Sequence, residues 1–344
     1  MVNSERWLVL SDGARPTEDI YFLESVAPRL RSAGHDVGRL DARGWRWRLA
    51  RWVLSRQPGA NLVLSRTLPA VALQWLERER ARFGRIVYLI DDDLGAAAEN
   101  ETLPSGYRAR MVSAAAQQAR LLALADEVVA CSVQLAARLR PRHGNVRVMT
   151  PPLISPLPEL AHFVNGPTGE QPWRIGFHGT RAHRADLAHI APALQAIQRQ
   201  RCDTELEMML GEHMPGLLAD LPRTCCPAPL SWQKFRAYQA RRRVHIGLAP
   251  LLDTPFNRGK SFIKFLDIAA MGGVGIYSRR SPYTEIVEDG VNGLLAGDDP
   301  DEWRRGLEWL LANPGTTHRM AVAAAQAAQH HVLHTMPDWM NGES

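Results

Sequence analysis

Several features that would assign a protein to a class are missing from this chain of 344 residues. It has no uninterrupted run of about 18 apolar residues, so we expect no transmembrane helix. The first residues, MVNSERWLVL, pass directly into an apparent strand without a basic stretch or cleavage site, so we expect no signal peptide. The four cysteines, Cys131, Cys202, Cys225 and Cys226, do not have the spacing of metal ligands. We therefore expect them to be reduced, buried thiols in a cytoplasmic protein.

The composition suits two well-packed globular domains. Hydrophobic residues make up 45% of the chain, and its length fits two domains of about 150 to 170 residues. The formal net charge is +5, and arginine heavily outnumbers lysine. A basic balance suits a nucleotide diphosphate, an anionic membrane face or a nucleic acid, and composition alone does not choose among them.

Strand and helix patterns alternate along both halves of the chain, which predicts two doubly wound α/β units. The first predicted strand, 6–11, is followed by a helix from Thr17 to Gly34 and by a second strand at His35. A Pro- and Gly-rich stretch without periodicity separates the halves. The predicted organisation is therefore a Rossmann-like domain over 1–153, a linker over 154–172, a second Rossmann-like domain over 173–325 and a helix with a tail over 326–344.

The most informative stretch is 256–297, FNRGKSFIKFLDIAAMGGVGIYSRRSPYTEIVEDGVNGLLAG. A basic, glycine-containing loop leads into an amphipathic helix, and a short strand then leads into a second basic loop before another helix start. Helix N-termini carry unpaired N–H groups and partial positive charge, so they suit anions. The cations of this stretch complete a site that would fit a diphosphate: Arg258, Lys260, Lys264, Arg279 and Arg280.

This stretch resembles the donor-binding segment of GT-B glycosyltransferases, in particular the large, mostly retaining family that builds bacterial cell-surface polysaccharides. In that family a first Glu precedes the helix and a second Glu lies within Leu-Glu-Ala-(Met/Leu)-Ala-x-Gly. Residues 266–272, LDIAAMG, stand in that register, with Asp267 in place of the second Glu and Gly259 at the first position. Residues 282–287 and 289–294 match the family's next helix and turn. Because Gly259 has no carboxylate, the donor sugar is not inferred from relatives.

The resemblance implies an α/β protein with the GT-B fold, in which two Rossmann-like domains face each other across a cleft. A C-terminal helix would cross back to the first domain, and the segment from His330 to Trp339 is the candidate for this. The implied activity is transfer of a sugar from a nucleotide-sugar to a glycan or lipid-linked acceptor in bacterial surface polysaccharide synthesis. It would retain configuration and need no metal or other cofactor. The alternative is a catalytically silent GT-B subunit of a polysaccharide assembly complex.

Three adjacent carboxylates, Asp91, Asp92 and Asp93, follow the predicted strand 85–90. Loops at the carboxyl ends of strands line the ligand cleft in open α/β sheets. Adjacent carboxylates repel, so we expect at least one of them to be protonated or paired with an arginine. They could orient or deprotonate the acceptor hydroxyl, hold Mg²⁺, or form a helix cap with solvated charges. Residues 94–107 are expected to be a flexible loop over the acceptor.

The remaining site residues follow from the resemblance. Lys260 is expected to act in catalysis by offsetting charge on the departing nucleoside diphosphate, and Asp267 to bind the ribose. Backbone N–H groups of 281–284 are expected to face the phosphates or the sugar. The expected donor-binding set is Gly179, Thr180, Arg181, Asn257, Arg258, Lys264, Asp267, Ser281, Pro282, Tyr283 and Thr284, and the acceptor-side pair is Asp12 and Gly13.

Three further side chains, His178, His183 and Asp186, are close enough in sequence to suggest a metal site. The alternative is one residue at a strand end and two groups on a helix surface. The full glycine pattern of dinucleotide-binding proteins is absent, which disfavours an oxidoreductase. The arginines are dispersed and no recognised nucleic-acid module is present, so no nucleic-acid partner is expected.

Residues 43–57, RGWRWRLARWVLSRQ, combine tryptophan and arginine at helical spacing. Trp45, Leu49, Trp52 and Val53 share one helical face, which is flanked by arginines. Such a helix can lie in an anionic membrane interface, which would place the protein at the inner face of the membrane. The alternative is an ordinary surface helix whose tryptophan face packs on the sheet while its arginines stay in water.

Overall fold

The computed structural model describes residues 4–13, 15–164 and 171–340, with only the backbone of Arg15. Within these ranges the chain forms two six-stranded parallel sheets. The first has the order β2-β1-β3-β4-β5-β6. Its strands are β1 Arg6–Ser11, β2 Asp36–Asp41, β3 Asn61–Ser65, β4 Ile86–Ile90, β5 Glu127–Ala130 and β6 Val146–Val148. We refer to this sheet and the helices that cover it as the first lobe.

The second sheet has the order β12-β11-β10-β7-β8-β9, and it defines the second lobe. Its strands are β7 Trp173–Phe177, β8 Thr204–Met208, β9 Thr224–Cys225, β10 Ile246–Ala249, β11 Val274–Ser278 and β12 Gly293–Ala296. In both sheets the strand order reverses direction beside the first strand of the lobe. Ligands of doubly wound sheets bind outside the carboxyl ends of the strands at such a switch point.

Helices join the strands of both lobes. In the first lobe they are α1 Arg15–Glu18, α2 Ala27–Ser32, α3 Arg46–Leu54, α4 Ala70–Arg78, α5 Leu94–Glu99, α6 Ser105–Leu124 and α7 Val133–Leu139. In the chain segment between β6 and β7 lies α8 Ala161–Val164. In the second lobe they are α9 Arg184–Gln200, α10 Gly216–Ala219, α11 Trp232–Arg241, α12 Pro255–Arg258, α13 Ile263–Ala270, α14 Pro300–Ala312 and α15 Pro314–Gln329. No helix in the described ranges has the length and apolarity needed to cross a bilayer.

Each sheet has its own hydrophobic core because helices cover both of its faces. The central strands read as nearly continuous apolar runs, as in β4 (IVYLI), where every residue is buried. This pattern is typical of parallel strands that are covered on both faces. Three side chains from outside the first lobe's sheet and helices, Ala182, Phe256 and Trp339, are buried in the first lobe's core. The two lobes are therefore joined by packing as well as by the chain.

Several predicted elements differ from the observed ones. The helix predicted from Thr17 to Gly34 is broken into α1, a π-helical turn over Asp19–Leu23 and α2. Residues 94–107 are mostly helical because the Asp93 side chain caps α5 and Pro104 precedes α6. The linker contains α8, and its residues 165–170 lie outside the described residues. A single 3₁₀ turn, Tyr283–Glu285, replaces the helix predicted after Pro282.

The expectation for the cysteines is confirmed in one respect and wrong in another. None of the four forms a disulfide, but only Cys131 is buried. Cys202 and Cys225 are exposed and Cys226 is half-buried. Cys202 lies in the connection after α9, Cys225 lies on β9, the edge strand of the second sheet, and Cys226 lies beyond the end of this strand because β9 is only two residues long.

The C-terminal segment crosses back to the first lobe, as expected, but the crossing is not helical. Helix α15 ends at Gln329, and a 3₁₀ turn over Asp338–Met340 is the next regular element. Trp339 is buried with its ring centroid 6.2 Å from that of Phe22. Its carbonyl accepts a hydrogen bond from Arg85. We call residues 330–340 the tail.

Candidate active site

The carboxyl edges of the two sheets face each other, and an ion pair joins them. Asp92 follows β4 in the first lobe, and Lys260 follows α12 in the second lobe. The Lys260 Nζ atom lies 2.5 Å from Asp92 Oδ1. The ammonium group also lies 4.1 Å from the ring centroid of Phe256, which is a cation–π contact. Two sequence-predicted catalytic residues that are far apart in the chain are therefore brought together.

Arg66 is a site residue that the sequence analysis did not identify. It comes directly after β3 and has a φ of 56°, in the left-handed region that few non-glycine residues adopt. Its Nη1 lies 3.3 Å from Asp91 Oδ1, and its Nη2 lies 2.8 Å from Asp92 Oδ2. One guanidinium thus links two neighbouring carboxylates. The rule that singled out Asp91, a polar residue at the carboxyl end of a strand, would also have found Arg66.

Asp91 and Asp92 titrate differently although they are neighbours. Burial would raise the pKa of Asp92, but the charges of Lys260 and Arg66 outweigh burial and lower this pKa to about 2. The pKa of Asp91 is raised, chiefly by burial and further by the charge of Asp92, although Arg66 opposes the change. Thr17 also donates a hydrogen bond to Asp91 at 2.7 Å. The expected pairing of the carboxylates with an arginine is confirmed.

Asp93 has a structural position different from that of its two neighbours. Its Oδ1 accepts a hydrogen bond from the backbone N–H of Ala96 at 2.9 Å and so caps α5. Its Oδ2 lies 2.6 Å from Arg138 Nη1. The helix-cap interpretation is thus confirmed for Asp93. Asp91, Asp92 and Asp93 each contact a cation.

Residues 254–261, which we call the interlobe loop, rest directly on the first lobe. The carbonyl of Gly259 accepts a hydrogen bond from Ser132 Oγ at 2.9 Å. The hydroxyls of Tyr21 and Ser261 lie 3.1 Å apart. A Cβ atom built on Gly259 would lie 3.3 Å from Asp93 Cβ, which is a tight contact. The position where the resembling family has its first Glu is therefore pressed against the first lobe.

The other end of the interlobe loop is anchored within the second lobe. Asn257 is buried, and its Nδ2 donates to Asp186 Oδ1 at 2.9 Å and to the carbonyl of Leu252 at 3.0 Å. Asp186 Oδ1 also accepts from the backbone N–H of Leu252. Asp186 is 3% exposed, so the expectation that it lies on a helix surface is wrong. Arg258, by contrast, is exposed and pairs with Asp253 at 2.7 Å.

The three residues considered for a metal do not converge. His178 Nε2 lies 2.7 Å from Glu207, whereas His183 Nδ1 lies 2.8 Å from Asp186. Burial would raise the pKa of Glu207, but hydrogen bonds from His178 and Tyr238 contribute to lowering it to about 2. Within the described ranges no group of three or more His, Cys, Asp or Glu side chains is arranged to hold a metal ion. The charge of His183 also contributes to the lowered pKa of Asp92.

Asp267 and Lys264 form a polar group on α13, next to the interlobe loop. Lys264 Nζ lies 2.9 Å from Asp267 Oδ2, and Gln239 Nε2 donates to Asp267 Oδ1 at 2.9 Å. Gln239 in turn accepts a hydrogen bond from Ser155. The carboxylate is held in a fixed orientation with both oxygens in contact with donors. A ligand hydroxyl that binds there would have to share or replace these partners.

The turn after β11 does not present the N–H groups that the sequence suggested. The backbone N–H groups of Tyr283 and Thr284 both donate to the carbonyl of Arg280. Pro282 has no N–H, and the Tyr283 ring is buried 5.0 Å from that of Tyr277. The Ser281 hydroxyl donates to Glu285 at 2.5 Å. The expectation of free N–H groups at Tyr283 and Thr284 is therefore wrong, because the turn uses both of them.

The remaining predicted residues lie at the carboxyl ends of β7 and β1. Thr180 and Arg181 line an open cavity of ≈ 560 Å³ in the second lobe. Gly179 is the residue directly before Thr180 in the chain. The other residues that line it are Leu210, Gly211, Glu212, His213, Ala228 and Pro229. In the first lobe, Gly13 follows Asp12 with a φ of 94°, and a Cβ there would overlap the guanidinium of Arg43. Thr180 and Arg181 after β7, and Asp12 and Gly13 after β1, thus lie on the sheet edges that face the cleft.

Comparison with known proteins supports the fold and does not identify a family. No protein-family model matches the chain, and no curated protein matches its sequence. Among solved structures, Anabaena HepE in complex with UDP and glucose has a TM-score of 0.65 and 12% identity, covering 98% of both chains. Sucrose-phosphate synthase from Thermosynechococcus elongatus has a TM-score of 0.64 and 14% identity, covering 95% of both chains.

A third similar structure is the UDP-forming α,α-trehalose-phosphate synthase from Burkholderia vietnamiensis. Its TM-score is 0.63 at 10% identity, and the match covers 98% of this chain and 99% of that one. Together with the two parallel six-stranded sheets, these likenesses give the class of the molecule: the chain has the GT-B fold of glycosyltransferases. At these identities the fold is what the comparison establishes, and the predicted GT-B architecture is confirmed.

Proposed function

We propose that this protein is a glycosyltransferase that moves a sugar from a nucleotide-sugar to a glycan or lipid-linked acceptor. The proposal rests on one observation above all, the contact of Lys260 with Asp92 at the facing edges of the two sheets. This contact places a cation suited to a diphosphate beside a carboxylate suited to an acceptor hydroxyl. The GT-B fold, whose similar structures include one that contains UDP and glucose, supports the same activity.

We assign the donor to the domain over 173–325 and the acceptor to the domain over 1–153. Lys264 and Asp267 lie on α13 beside the interlobe loop, within reach of a nucleotide's diphosphate and ribose if their mutual contacts open. The cavity at Thr180 and Arg181 offers space at the carboxyl end of β7 for another part of the donor. Asn257 supports the donor site indirectly, because its amide holds the interlobe loop in shape.

A change in the ion-pair partner of Lys260, from Asp92 to the donor's diphosphate, gives a mechanism. When a diphosphate enters, Lys260 turns from Asp92 towards the phosphate oxygens and stabilises the charge that develops on the leaving group. Asp92 then loses a cation that helps to lower its pKa, so its basicity rises. It becomes a better acceptor for the proton of the incoming hydroxyl. Arg66 remains against both Asp91 and Asp92 and keeps them oriented.

The finer parts of the proposal rest on the resemblance of 256–297. They are a retaining outcome and a role in bacterial surface polysaccharide synthesis. A site of action at the inner face of the membrane rests instead on the tryptophan and arginine pattern of 43–57, and a cytoplasmic location on the cysteines without disulfides. Lys260, Lys264 and Arg181 would take the place of a metal ion in balancing the diphosphate. We therefore propose that transfer needs no metal, and the reaction measured with and without EDTA checks this.

A catalytically silent subunit of a polysaccharide assembly complex is the second candidate. Two observations favour it: Gly259 supplies no carboxylate, and Asp91, Asp92 and Asp93 are each held by a cation. Such a protein would still bind a nucleotide through the second lobe. It would not release that nucleotide from a sugar.

A thermal-shift screen against UDP-, GDP-, TDP- and CMP-sugars tests the proposal first. We expect one nucleotide class to raise the melting temperature, and the matching nucleotide-sugar to release free nucleotide when membrane or glycan acceptors are added. Lys260→Ala should abolish release, and Lys234→Ala, at another lysine on the second lobe, should not. Stabilisation without release would support the silent subunit. If no nucleotide stabilises the protein, the transferase proposal fails.

A further inference from the structure

Helix α3 presents an apolar stripe to solvent. Trp45, Leu49 and Trp52 are 73%, 56% and 54% exposed, which is unusual for side chains of this size. Their spacing of four and three residues places them on one face of the helix. They project from the first lobe at an edge of its sheet, since α3 follows the edge strand β2.

The opposite face of α3 holds the helix to the body of the lobe. Trp47, Ala50 and Leu54 are buried, and the Trp47 ring packs edge-on against Trp75 of α4 at 5.7 Å. None of these three residues belongs to the helical face that Trp45, Leu49, Trp52 and Val53 share. The alternative of a surface helix whose face with Trp45 and Trp52 packs on the sheet is therefore wrong. The exposed stripe is thus on the side of α3 that does not pack on the core.

The arginines around the exposed stripe outnumber the carboxylates that pair with them. Residues 43–57 contain five arginines and no acidic residue. Arg43 and Arg46 share Asp41, and Arg56 stacks on Trp52 with its guanidinium 4.0 Å from the ring centroid. Arg48 and Arg51 are exposed, and neither has a carboxylate partner in the described part of the chain. The face therefore combines aromatic rings with uncompensated positive charge.

A groove of ≈ 440 Å³ lies beside the stripe, between α3 and the end of α4. Arg48, Arg51 and Arg82 line it together with Trp52 and Trp75. The only acidic side chain among its lining residues is Glu79, which pairs with Arg82 at 3.2 Å. Two cations thus remain for an anion, and the groove is large enough for a phosphate headgroup.

We propose that this face docks the protein on an anionic phospholipid membrane, with Trp45, Leu49 and Trp52 in the interface and a lipid phosphate between Arg48 and Arg51. Tryptophan rings favour the boundary between headgroups and acyl chains, and arginines bind the anionic surface. A face on which Arg48 and Arg51 have no carboxylate partner in the described part of the chain complements such a surface. This inference specifies how the protein would contact the membrane, and it rests on the proposed function, which places the protein at the inner face of the membrane.

Vesicle co-sedimentation without nucleotide or acceptor tests the inference. We expect the protein to bind phosphatidylcholine vesicles that contain about one third phosphatidylglycerol, and to bind pure phosphatidylcholine weakly. Each of two variants, Trp45→Ala/Trp52→Ala and Arg48→Glu/Arg51→Glu, should lower the partition coefficient at least about tenfold. Binding through the arginines should also weaken as salt is added, because the charges are exposed.

Two control variants separate this face from bulk properties. Arg199→Glu/Arg241→Glu makes the same change in net charge at exposed arginines of the second lobe. Trp309→Ala removes another exposed tryptophan, from α14. Both should bind vesicles like the unchanged protein, and circular dichroism should show all variants folded. Equal losses in the control and test variants would overturn the inference.

Absence of vesicle binding by the unchanged protein would also overturn it, and would leave this face for a protein partner. Vesicle binding that is unchanged in both test variants would overturn the inference as well. Because the assay contains no donor, its failure leaves nucleotide binding and sugar transfer untouched. A failure of nucleotide release, in turn, would not alter the vesicle result.

Discussion

At the scale of single residues, adjacent aspartates acquire different tasks from their surroundings. Asp92 lies between Lys260 and Arg66, and its pKa falls to about 2 because these charges outweigh burial. Asp93, the next residue, points its carboxylate at the start of α5 and at Arg138. The chain direction at the end of β4 therefore separates a cleft carboxylate from a structural one.

Replacing each of these aspartates by asparagine separates the two tasks. Asp92→Asn should lower turnover by about 10²-fold, since a proton acceptor beside Lys260 is lost, with a smaller effect on donor KM. Asp93→Asn should leave turnover close to the unchanged value, because asparagine caps a helix as well as aspartate does. Steady-state kinetics of nucleotide release measures both. Equal losses of turnover in the two variants would contradict a specific role for Asp92.

At the scale of elements, the interlobe loop is held from both sides. Ser132 and Tyr21 contact it from the first lobe, and Asp186 holds it through Asn257 in the second. Such double anchoring explains why a glycine stands where the resembling family has a glutamate. The small residue permits the backbone at Gly259 to approach Asp93.

Substitution at Gly259 should weaken the contact between the lobes. In Gly259→Ala the new Cβ would meet Asp93 Cβ at 3.3 Å, and we expect a loss of about 1 to 3 kcal/mol from overpacking. Gly259→Glu should lower the melting temperature further and should not raise turnover. Gly106→Ala is the control, because a Cβ there meets nothing within 4 Å. A melting temperature unchanged in Gly259→Glu would show that the loop does not rest on the first lobe in solution.

At the scale of the whole molecule, the lobes are joined by the tail as well as by the cleft. Trp339 is buried in the first lobe beside Phe22, although α15 packs on the second lobe. The backbone of the tail also contacts the chain between the lobes, since Leu153 N–H donates to the carbonyl of His331 at 2.9 Å. The stability of the first lobe should therefore depend on residues near the end of the sequence.

Removal of the Trp339 side chain tests this dependence. Trp339→Ala leaves a cavity in the first lobe's core and should lower the free energy of unfolding by about 3 to 5 kcal/mol. Differential scanning calorimetry should show an earlier transition for the variant. Trp309→Ala, at a tryptophan that is 41% exposed, should change the transition little. Similar transitions in both variants would mean that the tail does not stabilise the first lobe.

The sequence by itself determined the α/β class, the two-sheet architecture and the position of the acidic and basic candidates. These features follow from local rules: apolar runs of strand length, helix patterns between them, and polar residues directly after strands. The resemblance of 256–297 added the GT-B arrangement. It singled out Lys260, and the strand-end rule singled out Asp92, although these residues are 168 positions apart and meet only in the folded chain.

Only the tertiary structure decided which partners these residues have. The guanidinium of Arg66 pairs with Asp91 and Asp92 because β3 and β4 are neighbours in the sheet, and nothing local in the sequence specifies that pair. The exposed side of α3 depends in the same way on Trp75, which packs on Trp47 and leaves Trp45 and Trp52 outside. Pairing and burial are properties of surfaces that meet only in the folded chain, so periodicity alone could not assign them.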